Sequence, residues 1–76
     1  MKLCTFLKQE DNIILQFIEP NNQPTGIIKS NILLNKNNIE KIRYEIESHF
    51  NVQLTDNQKY FIENNNKGVL EFLWHH

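Results

Sequence analysis

The sequence predicts an α+β domain of element order β-β-β-α-α-β, a mostly antiparallel sheet with two short helices packed on one face. Three observations predict it. Residues 2–34 carry short runs of β-branched and aromatic side chains separated by turn formers. Ile39, Ile42, Ile46 and Phe50 recur at helical spacing. Val69–Trp74 then returns to a strand pattern.

Taken in order, Lys2–Gln9 reads as the first strand, Glu10-Asp11-Asn12 as a hairpin turn, and Ile13–Glu19 as the second strand. Pro20 to Pro24 breaks the ladder, since neither proline has an N–H to donate. Gly26–Leu34 reads as a third strand, placed at an edge or bulged because Lys29, Ser30 and Asn31 interrupt it. Asn37 is positioned to cap the first helix, with Glu40 as reciprocal partner, and Asn51 to stop it. Thr55 and Gln58 form the capping-box pattern of a second helix that would bury Leu54, Phe61 and Ile62. A rival reading of residues 55–67 pairs Tyr60–Glu63 with Val69–Trp74 as a hairpin. In either case Gly68 ends the segment, most simply at positive φ. The last strand is expected to lie beside one of the first three.

The chain has 76 residues, so a single domain spanning 1–76 is expected, near the lower size limit for an unaided core. A net charge of −1 gives little electrostatic support for phosphate binding. Every apolar run is too short to span a membrane, and the stretch after Lys2 is too short for a secretory signal. The single cysteine, Cys4, excludes an internal disulfide, as expected in the cytoplasm. Asn occurs twelve times, Ile ten times and Ala not at all, a bias compatible with a phage or mobile-element origin.

Catalytic patterns are missing. Cys4, His49, His75 and His76 match no zinc spacing, so no metal or cofactor is expected. Cys4 sits in a strand between Leu3 and Thr5, where a buried, inert thiol is the simplest reading. Ser30 and Ser48 lack a nucleophile-elbow context, and Gly26 and Gly68 begin no phosphate loop. Lys2, Phe6 and Lys8 share one strand face, the nearest approach to a basic–aromatic nucleic-acid surface.

The strands, however, are apolar on both faces. Ile13, Leu15 and Phe17 point one way while Ile14 and Ile18 point the other; Leu70, Phe72 and Trp74 oppose Val69 and Leu73. Two short helices cover only one face of a four-stranded sheet. The remaining aliphatics either form an interface, with another protein or a second copy, or curl inward, or scatter over the surface. On the first helix Tyr44 points away from the apolar stripe, among Glu40, Lys41, Glu45 and Ser48, and Tyr60 likewise projects outward from the second; Glu40, Glu45 and Glu47 form an acidic side. Tyrosine favours interfaces, and the acids offer a negative surface to a basic groove.

Glu45 to Val52, followed by Leu54-Thr55-Asp56, resembles the acidic helix and following turn of acyl carrier proteins. That family's Asp-Ser-Leu attachment motif has no counterpart before Ile39, and a strand-rich first half departs from its helical bundle. The resemblance therefore implies a helix–loop–helix here and no activity.

These features predict a cytoplasmic, non-enzymatic protein-binding module, such as a phage or mobile-element inhibitor or regulator of a host complex, anti-CRISPR-like in size and class. Its expected binding residues are Tyr44, Tyr60, Glu40, Glu45, Glu47, Ile14 and Ile18. The alternative is a small dimeric nucleic-acid-binding regulator.

Overall fold

The computed structural model describes residues 2–20 and 26–72. Strands β1 (Lys2–Gln9), β2 (Asn12–Pro20) and β3 (Ile27–Asn35) precede helices α1 (Ile39–Phe50) and α2 (Asp56–Asn64), and β4 (Lys67–Phe72) closes the order. The four strands form one sheet, β3-β2-β1-β4, antiparallel at every pairing. This is the expected α+β order, and β4 joins the free side of β1. The helix at 56–64 settles residues 55–67 against the hairpin reading. The chain leaves one edge of the sheet at β3, crosses its inner face through both helices, and re-enters at the other edge as β4.

Gln9 pairs with Asn12, so the first hairpin closes over a two-residue loop, Glu10-Asp11. Glu10 takes φ 55°, the left-handed region where such loops favour Gly, Asn or Asp. β3 is an edge strand in continuous register, from Asn12 opposite Asn35 to Pro20 opposite Ile27, without a bulge. The edge position explains how it tolerates Lys29, Ser30 and Asn31.

The cap of α1 is Asn38, one residue beyond the expected Asn37: its side chain accepts from the Lys41 N–H at 3.2 Å. Asn37 instead donates its own N–H to the Asn35 side chain at 2.8 Å, making a turn that delivers Asn38 to the cap. Asn51 ends α1 in the left-handed conformation (φ 55°, ψ 49°). Thr55 and Gln58 close a complete capping box on α2, with bonds of 2.9 and 3.1 Å.

The core lies between the sheet's inner face and the helices. Cys4 and Phe6 from β1, Ile13, Leu15 and Phe17 from β2, and Leu70 and Phe72 from β4 meet Ile42, Ile46 and Phe50 of α1, Leu54, and Ile62 of α2. Each large side chain so buried contributes about 1.5–3 kcal/mol. Phe50 is the hub, edge-on to Phe17 at 5.3 Å between centroids and tilted against Phe72 at 5.6 Å.

Two expectations fail here. Phe61 is not buried with Ile62 but remains 38 % exposed, resting edge-on against Phe6 at 5.6 Å and 81°. Gly68 does not adopt positive φ and lies inside β4. A Cβ built there would stand 2.6 Å from the Phe61 ring and 2.9 Å from Phe6. Gly68 is needed for the close approach of two aromatic rings rather than for backbone freedom.

Leu73, Trp74, His75 and His76, named in the strand and metal readings, lie outside the described residues.

A candidate docking face on the outer side of the sheet

Register assigns every strand residue to a face. On the outer side, one row runs Glu71, Leu3, Ile18, Lys29 across the sheet. The next runs Val69, Thr5, Gln16, Asn31, and the third Lys67, Leu7, Ile14, Leu33. Pro20 beside Ile27 extends the first end. Two apolar bands thus flank a polar middle row.

Both helices pack on the opposite face. Ile27 and Leu33 are each 61 % exposed and Val69 is 53 % exposed. Ile14 and Ile18 are half-buried by their neighbours in the sheet. The sheet therefore does not curl to enclose its second apolar face. Leu3, Ile18, Pro20 and Ile27, with Glu19, line a shallow apolar concavity of about 290 Å³ at the end of the first band. Alternation in the second and last strands pointed Ile14, Ile18 and Val69 to this side; Leu3, Leu7 and Leu33 were missed because their contribution depends on cross-strand register.

The other expected binding residues lie on the helical layer, away from Ile14 and Ile18. Tyr44 and Tyr60 are both exposed, and the Lys41 ammonium sits 5.4 Å from the Tyr44 ring centroid. The three acids are each matched by a cation. Glu45 pairs with Lys41 at 3.2 Å and Glu40 with Lys59 of α2 at 3.8 Å. Glu47 pairs with Arg43 at 3.6 Å, and its other oxygen accepts the Leu54 N–H at 2.8 Å, tying the inter-helix loop to α1. The structure thus places the seven expected residues on two separate surfaces.

The Lys2–Phe6–Lys8 face turns inward. Phe6 is buried; Lys2 Nζ donates to the Phe50 carbonyl at 3.0 Å and Lys8 Nζ to the Glu63 carbonyl at 3.1 Å. Each ammonium therefore satisfies a carbonyl at the C-terminal end of a helix, where the helix dipole favours a cation.

A polar concavity of about 330 Å³ lies beside Lys8, Lys36, Asn37, Ile39, Glu63 and Asn66. Its charges are of mixed sign, and it contains no nucleophile–base pair. Cys4 is fully buried, and desolvation pushes its thiol from an ordinary 9.0 up to about 12, which suppresses the nucleophilic thiolate. His49 stacks on Phe17 at 4.1 Å and lies 3.5 Å from Glu19. Ser30 Oγ is buried without a hydrogen-bond partner, so it does not form a relay with His49. Among the described residues no three metal-ligating side chains cluster, and no helix is long and apolar enough to cross a membrane.

Against known protein families, curated proteins and solved structures, the chain finds no match.

Proposed function

We propose that the chain is a small, non-enzymatic protein-binding module whose working surface is the outer face of the sheet. The carrying observation is that face itself: aliphatic side chains from all four strands point away from the helices, and no described element covers them. A solvated face of an antiparallel sheet ordinarily alternates to polar residues, and apolar patches on that scale mark interaction sites. The mixed charge of the helical layer and the internal engagement of Lys2 and Lys8 favour this reading over nucleic-acid binding. By analogy of size and class, such a module would act in the cytoplasm as an inhibitor or regulator of a host complex, of phage or mobile-element type and anti-CRISPR-like in scale.

The test is affinity capture with the tagged chain and with Leu33→Lys, a substitution at an exposed edge position that leaves the core intact. The expected result is a protein, whether a host component or an untagged copy of the chain, that is retained by the native sequence and lost with the variant. Identical capture by both, or capture by neither, overturns the assignment of the outer face.

A further inference from the structure

We propose that the outer face binds the same face of a second copy of this chain, about a two-fold axis lying between the two sheets. This rests on the reading above and names the partner for that surface. The rows of the outer face carry complementary charges at their ends. Glu71 stands at the β4 edge and Lys29 at the β3 edge of one apolar row, and Lys67 stands at the β4 edge of the other. None of the three pairs with another described residue.

Face-to-face sheets align their strands to within about 30°, which leaves two orientations for an in-plane two-fold axis. With the axis along the strands, β3 of one copy covers β4 of the other. Glu71 then opposes the second copy's Lys29, twice, while Leu3 meets Ile18 and Leu7 meets Ile14. With the axis across the strands, the two apolar rows exchange. Glu71 then opposes the second copy's Lys67, twice, while Leu3 meets Leu7 and Ile18 meets Ile14. In both orientations every carboxylate faces an ammonium, the lysine left over faces Leu33, and no like charges oppose. The face is self-complementary in charge, and the aliphatic side chains of its two central strands meet one another.

Its size fits a weak, specific dimer. Four strands spaced ~4.8 Å apart, and about seven residues long at ~3.3 Å each, project roughly 450 Å² per copy. Two such faces bury an area near the lower bound of about 1,000 Å² for specific interfaces, the size range of weak, transient association.

Sedimentation of the full chain from about 1 µM to about 1 mM tests this. A concentration-dependent monomer–dimer equilibrium is expected, and Glu71→Lys, which sets lysine against lysine, is expected to weaken it at least about tenfold. Adding Lys29→Glu to that variant restores association if the axis runs along the strands; adding Lys67→Glu restores it if the axis runs across. Restoration by either one supports the proposal. Rescue by Lys29→Glu cannot arise within one chain, because Glu71 and Lys29 lie on edges about 14 Å apart. A monomer at every concentration, a dimer indifferent to Glu71→Lys, or failure of both second changes overturns it, with circular dichroism confirming that each variant is folded. A monomeric chain that still captures a different protein, lost with Leu33→Lys, removes the second copy as partner and leaves the docking face standing.

Discussion

Gly68 offers the sharpest test of how this core is packed. Gly68→Ala adds one methyl group 2.6 Å from Cε2 and Cζ of Phe61 and 2.9 Å from Cε1 of Phe6. Phe6 is buried and has nowhere to go, whereas Phe61 is 38 % exposed and can swing outward. The cost is then the packing of Phe61 on Phe6, an edge-to-face pair at 5.6 Å worth about 0.5–1.5 kcal/mol beyond its buried area. Overpacking a core typically costs about 1–3 kcal/mol. Against this stands about 0.4–1 kcal/mol gained from the stiffer unfolded chain. The net expectation is a loss of about 1–2 kcal/mol, a fall in melting temperature of roughly 5–15 °C for a domain of this size. Urea unfolding followed by circular dichroism measures it, with an unchanged m-value showing that only stability moved. In a Phe61→Ala background the same glycine substitution should cost less than in the native chain, because Phe6, 2.9 Å from the new methyl, can then shift into the space the Phe61 ring leaves. A neutral or stabilising Gly68→Ala in the native background would refute the close-approach account.

Two further outcomes follow from the same structure. With its folded-state pKa raised from 9.0 to about 12, Cys4 contributes stability that is complete below pH 9 and is lost as pH rises toward 12. The stability difference between the native chain and Cys4→Ala should therefore narrow over that range with a slope approaching about 1.4 kcal/mol per pH unit, and a constant difference would count against it. Glu10→Gly should raise stability by roughly 0.5 kcal/mol in thermal melts, since a left-handed φ costs an L-residue about 1–2 kcal/mol and glycine returns part of that as chain entropy; a loss of stability would show that the Glu10 side chain contributes something beyond its backbone geometry.

Much of the fold was legible because the local signals agree with one another. The β-branched and aromatic runs of β1 and β2 specify strands, the Ile39–Phe50 stripe specifies a helix with its buried side, and the Thr55–Gln58 box specifies where a second helix starts, each without reference to the rest. What escaped depends on the third dimension. Asn35, Asn37 and Asn38 are chemically equivalent caps, and only the backbone decides that Asn38 takes the role. Gly68 looks like a turn residue until two rings converge on it. Lys2 and Lys8 share a face with Phe6, as alternation requires, but which helix ends lie above that face is a tertiary fact. Part of the outer face was visible as an aliphatic surplus at Ile14, Ile18 and Val69, whereas the leucines, rows and terminal charges needed the strand register. Glu40, Glu45 and Glu47 looked like one acidic side, because a list of acids does not show the cation standing against each.

The strand order has a consequence for biosynthesis. β1 leaves the ribosome before β2, β3 and β4, yet it lies inside the sheet and waits for β4 to complete its hydrogen bonding. Until residue 72 has emerged, the nascent polypeptide displays an open backbone ladder on β1 next to unsheltered hydrocarbon, the combination that recruits stray strands. Translation arrested within the asparagine-rich stretch at 64–66 would release an aggregation-prone fragment rather than a smaller version of the native domain.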